Sequence, residues 1–216
     1  MKKIDKLFPL LLILASISCV ETAKIEIEIP SKPKYDIPKF NHLWFGDFRV
    51  NETIENHNLS EEITSYMQNE IKSRFSIDSK KGNKIDWEKE KNLFENDNFW
   101  RKYVQDKEDI LIITGSASLK LENRNIIQDV SPYISPTSQE KRLVPMKFLI
   151  LNLDLYIINP KTGEIIYRNN FKEEKGFSEK TQSPLFGFFD IMEKITEKFF
   201  SDIFEKKIKK ERILFQ

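Results

Sequence analysis

Cys19 is the residue of this chain whose chemistry is most distinctive. It is the single cysteine among 216 residues, and it directly follows an apolar run at residues 7–17 and the small residue Ser18. Lysines at positions 2, 3 and 6 form a short basic head before that run. A run of about eleven residues makes about 16 Å of helix, too short for the roughly 30 Å apolar core of a bilayer. This order of segments predicts a secretory signal peptide at residues 1–18.

The sequence around Cys19 resembles a bacterial lipobox, in which the thiol receives a diacylglyceryl group before cleavage makes the lipidated cysteine the first residue. Ser16 stands where that motif usually has leucine. The alternative is ordinary cleavage after Ser18, which would leave an unpaired thiol that oxidises or cross-links in an exported protein. The sequence favours acylation, with palmitate-type chains on Cys19 as the contact with the membrane.

Composition excludes several classes of function. The chain has 35 basic and 34 acidic residues, and removing residues 1–18 leaves it nearly neutral. A nucleic-acid partner needs a concentrated positive surplus, so none is predicted. One cysteine and two histidines supply too few ligands for a zinc or iron–sulfur site. We therefore predict no metal and no cofactor.

No catalytic constellation is visible either. His42 and His57 flank a predicted strand rather than sharing a face, so they form no catalytic pair. Residues 114–116 (Thr-Gly-Ser) lack the full Gly-x-Ser-x-Gly motif, and we expect Gly115 to let a helix approach closely. The glycines are isolated, so no phosphate-binding loop is predicted. The sequence predicts a protein that is not an enzyme; a site built from scattered carboxylates is the alternative.

Three phenylalanines lie close together before the predicted last helix, in the sequence LFGFFD: Phe186, Phe188 and Phe189. If two of them stayed uncovered, they would form an apolar patch that marks a partner surface. The alternative is a hydrophobic staple onto the following helix. We name the three residues as a candidate partner surface.

Hydrophobic periodicity predicts an α/β domain of the α+β variant, in which helices pack in layers on one mixed sheet. Its order is strand, helix, helix, strand, hairpin, helix and a short last strand. The strands are predicted at residues 40–50, 110–121, 147–158, 164–171 and 212–215, and the helices at about 58–75, 86–104 and 188–207. A turn is predicted at 79–83 and another at 159–163, whereas 122–146 is a loop or a long hairpin arm. Residues 24–29 (KIEIEI) alternate like a strand, but nearby prolines favour a tether.

The layout resembles the curli-transport lipoprotein (CsgG-like) superfamily, whose relatives include activators of peptidoglycan synthases and uncharacterised bacterial lipoproteins. Five pieces carry the resemblance in order over residues 37–215. They are Asp47-Phe48 at the end of an aromatic strand, Ser60-Glu61-Glu62-Ile63-Thr64, Asp97-Asn98-Phe99-Trp100, Ile113-Thr114-Gly115-Ser116, and the hairpin sequence Lys161-Thr162-Gly163-Glu164-Ile165-Ile166.

The resemblance, with Cys19, implies a lipid-anchored lipoprotein of the cell envelope whose domain binds or scaffolds another envelope protein. The expected localisation is the outer membrane, facing the periplasm or the surface. The expected organisation is a signal peptide at 1–18, the lipidated cysteine and a tether at 19–36, and a single domain at 37–216. The alternatives are an envelope enzyme and an oligomeric component of an export assembly.

Overall fold

The computed structural model describes residues 22–35, 37, 40–55, 57–75, 77–88, 92–104, 109–129, 141–177, 184–204 and 206–215. The predicted signal peptide and Cys19 lie outside these residues. The strands are β1 (Thr22–Ser31), β2 (His42–Glu52), β3 (Asp78–Lys81), β4 (Ile110–Asp129), β5 (Lys141–Ile158), β6 (Ile165–Phe177) and β7 (Lys206–Phe215). The helices are α1 (Leu59–Arg74), α2 (Asp97–Tyr103) and α3 (Pro184–Ile203), with a 3₁₀ turn at Leu93–Glu95.

Residues 34–203 form one compact unit around a five-stranded sheet. The strand order is β3-β2-β4-β5-β6, in which β2 runs parallel to β3 and to β4, and the β4–β5 and β5–β6 pairs are antiparallel. This mixed sheet with three helices packed on it is the predicted α+β class. Short loops allow the antiparallel hairpins, whereas the parallel pairs need the longer crossovers that contain α1 and α2.

The helices cover both faces of the sheet. Side chains alternate between faces along a strand, so Leu149 and Tyr156 of β5 point to opposite sides. Helix α3 lies over Leu149, because a Cβ placed on Gly187 would come within 3.5 Å of Leu149 Cδ2. On the opposite face, Trp100 of α2 belongs to a buried cluster with Tyr156. The sheet is therefore the middle of three layers.

Helix α1 begins where the sequence predicts. The Asn58 side chain accepts a hydrogen bond from the Glu61 N–H at 3.5 Å and donates one to Glu61 Oε2 at 2.9 Å. The first of these bonds satisfies one of the backbone N–H groups that the first helical turn leaves free, and the second holds the Asn58 side chain in place. Just before it, a bulge in β2 between Phe45 and Phe48 shifts the pairing with β4. The Phe48 N–H donates a hydrogen bond to Ser60 Oγ at 2.9 Å, and this bond connects the first turn of α1 to the bulge.

The predicted helix at residues 86–104 is broken in the structure. Of its described residues, 86–88 and 92–104, those at Leu93–Glu95 and Asp97–Tyr103 are helical. Asn96 caps α2 by accepting a hydrogen bond from the Phe99 N–H at 3.1 Å. Trp100 is fully buried, and its Nε1 donates to the Leu93 carbonyl at 2.8 Å. Burial of Trp100 rather than helix propensity fixes this segment.

Three further boundaries differ from the prediction. The expected turn at 79–83 overlaps β3, which pairs in parallel with the start of β2. Residues 122–129 and 141–146 lie in the arms of the β4–β5 hairpin, in agreement with one of the two predicted alternatives. Strand β6 runs on to Phe177, and α3 begins at Pro184 rather than Phe188.

The interpretation of residues 24–29 as a tether is wrong. These residues lie in β1, which pairs antiparallel with β7 along its whole length, from Thr22 opposite Phe215 to Ser31 opposite Lys206. The partner strand β7 includes the charged segment at 206–210, whose first two residues the predicted helix at 188–207 contained. Helix α3 already ends at Ile203, so this segment pairs with β1 instead. The two strands form a compact unit of their own. We call this pair of strands the β1–β7 ribbon.

Candidate functional site

The three predicted phenylalanines lie in the first turns of α3, and the structure separates them. Phe186 is 65% exposed and Phe189 is 44% exposed, whereas Phe188 is 1% exposed. Residues three apart lie on the same side of a helix, so Phe186 and Phe189 form one exposed apolar edge. We call these two residues the aromatic edge of α3.

Phe188 does not belong to a partner surface. Its ring packs edge-on against the His57 ring, with centroids 5.2 Å apart. It lies on the buried side of α3, about 100° around the helix from the exposed Phe189. Its inclusion in the exposed surface is therefore corrected: Phe188 is a core residue.

Tyr66 of α1 extends the aromatic edge. Its ring centroid lies 6.1 Å from that of Phe189. Burial, followed by the negative charges of Glu70 and Glu193, raises the pKa of Tyr66 to about 12. The tyrosine is therefore a neutral hydrogen-bonding group beside two phenylalanines, a combination that is common in protein interfaces. The sequence did not predict an exposed Tyr66, because this residue belongs to the apolar repeat of the predicted helix at 58–75, which was assigned to the core.

The β4–β5 hairpin carries a second set of exposed apolar residues on the same face of the sheet as α3. Leu121 is paired with Leu149, the residue that α3 covers, and is 41% exposed. Six residues further along β4, Ile127 pairs with Leu143, and these two are 67% and 70% exposed. An even spacing keeps all of them on one side of the hairpin. The apolar exposed residues of this unit therefore occupy mainly one face.

A cleft opens at the carboxyl ends of the parallel strands β2 and β3, where α1 begins. It consists of two adjoining cavities of about 1020 and 550 Å³ that share Val50, Lys84, Ile85 and Trp87. Crevices outside the carboxyl ends of parallel strands are frequent ligand sites. Trp87, which lines both cavities, packs on Phe94, with ring centroids 5.1 Å apart.

Two carboxylates of this cleft have structural partners. Asp47 Oδ2 accepts the Ile85 N–H at 3.2 Å, which fixes the segment after β3. Glu61 caps α1 and also pairs with Lys81 at 3.7 Å. Asp86 and Glu88 are exposed. Asp47 and Glu61 therefore hold the loop after β3 and the start of α1.

The histidines and the Thr114–Ser116 segment have structural positions. His42 Nδ1 lies 3.4 Å from Asp78 Oδ2, whereas His57 packs on Phe188. Thr114 Oγ1 donates to the Asp47 carbonyl at 2.9 Å. A Cβ on Gly115 would lie 1.9 Å from the Asp154 carbonyl oxygen. The close approach that Gly115 permits is thus from the backbone of β5, not from a helix as expected.

Within the part of the chain that the structure describes, no three acidic, histidine or cysteine side chains are grouped to hold a metal ion. None of the helices described is long and apolar enough to cross a bilayer.

Comparison with known proteins gives structural similarity alone. No protein-family model matches the chain, and no curated protein sequence matches it. The resemblance to the curli-transport superfamily therefore stays a prediction.

Solved structures that share part of the arrangement include a PelC dodecamer from Paraburkholderia phytofirmans, at 7% identity and a TM-score of 0.42, covering 82% of this chain and 98% of PelC. A putative neuraminyllactose-binding hemagglutinin homolog from Helicobacter pylori has 16% identity and a TM-score of 0.37, covering 78% and 83%. A minor lipoprotein from Acinetobacter baumannii has 7% identity and a TM-score of 0.39, covering 78% and 98%.

Proposed function

We propose that this chain is a lipid-anchored protein of the bacterial cell envelope whose α+β domain binds another envelope protein through the aromatic edge of α3. The observation that carries the proposal is the exposure of Phe186 and Phe189 beside Tyr66. Exposed aromatic residues grouped on one helix face are typical of partner surfaces, because their burial on binding removes much apolar area from water.

The rest of the domain supports binding rather than catalysis. Asp47 and Glu61, which line the cleft, have structural partners. The sheet is covered by buried apolar residues on both faces, so the core is filled. An enzyme with an unrecognised carboxylate site is the alternative function, and the cleft at the ends of β2 and β3 is where it would lie.

The anchor is tested by Cys19→Ala. We expect the variant to move from the membrane to the soluble envelope fraction, or to accumulate unprocessed, because the acyl chains are the proposed contact with lipid. Ser18→Ala is the matched control, since it keeps a small residue before the cysteine and should stay on the membrane. A fully processed Cys19→Ala protein that still fractionates with membranes would exclude the lipid anchor.

The partner surface is tested by photo-cross-linking in cells. A benzoylphenylalanine placed at Phe186 keeps the aromatic character and should cross-link to another envelope protein. The same probe at Lys102, an exposed residue of α2 on the other face, should not. Phe189→Glu should abolish the cross-link at Phe186, because it puts a charge on the same edge. Equal cross-linking at both positions would contradict the proposal, and cross-linking of the chain to itself would favour the oligomeric export component.

A further inference from the structure

The surface around the aromatic edge of α3 is layered along two neighbouring helices. Tyr66 of α1 lies beside Phe189 of α3, with ring centroids 6.1 Å apart. Eight residues further along each helix, Arg74 of α1 forms an ion pair with Glu197 of α3. The two helices therefore run side by side in the same direction over about 12 Å, from an aromatic layer to an ionic layer.

Two glutamates lie between these layers, one on each helix. Glu70 is four residues after Tyr66 and Glu193 is four residues after Phe189, so each glutamate lies on the same side of its helix as the aromatic residue. Glu70 pairs with Arg74, with 2.8 Å between Oε2 and Nη2. Glu193 is exposed, and within the described part of the chain its carboxylate forms no ion pair. One glutamate beside the aromatic edge is thus free to bind a cation.

The charge around the aromatic edge is negative. Burial is the first cause of the raised pKa of Tyr66, the carboxylates of Glu70, Glu193 and Glu197 add to it, and the guanidinium of Arg74 opposes it. Three carboxylates against one guanidinium leave two negative charges beside the exposed rings. The edge is therefore an apolar patch with an acidic rim.

An occupant of this surface has to suit both the rings and the carboxylates. A purely apolar segment would take Glu193 out of water without a partner, which is costly, and an acidic segment would be repelled. A Lys or Arg side chain within about 6 Å of the Phe189 and Tyr66 rings gains a cation–π contact. The same side chain can pair with Glu193. Charge complementarity thus selects a basic segment.

We infer that the partner binds this surface with a cationic apolar segment, whose Lys or Arg side chain lies over the rings of Phe189 and Tyr66 and pairs with Glu193. The inference rests on the proposed function, since it names the chemistry of the partner that binds there. Apolar residues of the same segment cover Phe186, the more exposed ring of the edge. Opposite charges on the two surfaces speed association and exclude acidic competitors.

The experiment repeats the photo-cross-link from Phe186 in the complete envelope fraction, before membranes and soluble proteins are separated. Glu193→Lys should lower the yield several-fold, because the new positive charge repels the segment, and Glu193→Gln should lower it less. Glu95→Lys is the matched control and should keep the yield, since Glu95 is an exposed glutamate two residues after Leu93 of the buried cluster on the opposite face of the sheet.

Salt gives a second readout. Raising its concentration from about 0.1 M to about 1 M shortens the Debye length from about 10 Å to about 3 Å. The cross-link yield should fall when Glu193 is present and should change little in Glu193→Lys. Thermal unfolding checks that the variants are folded, and Glu193→Gln, which keeps the size of the side chain, serves if Glu193→Lys does not fold.

Mass spectrometry of the cross-linked partner peptide tests its chemistry directly. The peptide should carry Lys or Arg within about four residues of the cross-linked position. An acidic or purely apolar peptide overturns the inference, and so does a yield that folded Glu193 variants and high salt leave unchanged, although a cross-link to another envelope protein then still supports the proposed function. A cross-link between copies of this chain also overturns the inference, and the absence of any cross-link with Glu193 in place defeats both proposals.

Discussion

Phe186 and Phe188 are two positions apart and have opposite environments. A helix turns about 200° over two residues, so one ring lies against His57 in the core and the other points to solvent. The sequence showed three phenylalanines within four residues. It could not assign them to faces of the helix, because the predicted helix began four residues too late. Once α3 begins at Pro184, helical geometry selects Phe186 and Phe189 as the exposed pair.

Gly163 is the glycine whose conformation the turn between β5 and β6 requires. Its φ is +81°, in the left-handed region, and its N–H donates to the Asn159 carbonyl at 2.7 Å. A Cβ at this position would lie 2.3 Å from the carbonyl oxygen of Asp97 at the start of α2. Both the backbone strain and the contact oppose any side chain here.

Gly163→Val should therefore lower the free energy of unfolding by more than about 1 kcal/mol. The measurement is the midpoint of denaturant unfolding, with the slope checked to be unchanged. Lys161→Val introduces the same side chain at an exposed position of the same turn and should change stability by no more than roughly 0.5 kcal/mol. If the Gly163→Val midpoint equals that of the native chain, the turn does not need a left-handed residue at this position.

At the scale of the elements, the sequence predicted the helices, strands and turns whose own residues mark their ends or their buried face. Helix α1 has a cap and an apolar stripe, the turn at 159–163 has proline and glycine in the required places, and β4 and β5 begin or end in long apolar runs. These local patterns agree with the fold, so the central sheet and its hairpin could be derived from them.

The elements that the sequence did not predict depend on distant partners. Strand β3 is four residues long and buries only Ser79, so no periodicity marks it; it exists because β2 offers a free edge. The β1–β7 ribbon joins segments almost 180 residues apart. The sequence showed the alternation at 24–29 and predicted a strand at 212–215, but it did not predict that the two segments pair. Pairing over such a separation is a property of the whole chain rather than of a local window.

The candidate site shows the same division. The phenylalanine cluster could be found from composition, but Tyr66 joins it only through the packing of α1 beside α3, since its ring lies 6.1 Å from that of Phe189. Ile127 and Leu143 fell in a segment predicted as a loop or a long hairpin arm, and their shared face follows from the continuous register of β4 with β5. A surface built from three elements cannot be derived from the spacing within one of them.

At the scale of the whole molecule, the two ends of the 34–203 unit are tied to each other. The N–H groups of Lys34 and Tyr35 both donate to the Asp202 carbonyl, at 3.0 and 3.1 Å. The Asp202 carboxylate accepts from the Tyr167 hydroxyl at 3.0 Å and from Asn169 Nδ2 at 3.1 Å. The Tyr35 ring packs edge-on against Tyr167, with centroids 4.8 Å apart. These contacts of Lys34 and Tyr35 place the start of the unit at residue 34 rather than at the predicted residue 37.

The unit should therefore fold alone when it is cut at its own ends. We expect residues 34–203 to unfold in a single cooperative transition close to that of residues 20–216, since they contain the sheet, the three helices and the buried core.

Residues 37–203 lack the contacts of Lys34 and Tyr35 with Asp202 and Tyr167. Two hydrogen bonds and one aromatic pair, at about 1 kcal/mol each, amount to about 3 kcal/mol. For a unit of this size that should lower the melting temperature by roughly 6–12 °C. Fluorescence of Trp44, Trp87 and Trp100 follows both transitions. Equal melting temperatures would show that the contacts of Lys34 and Tyr35 with Asp202 and Tyr167 contribute nothing to stability. Aggregation of residues 34–203 alone would show that the core requires the β1–β7 ribbon.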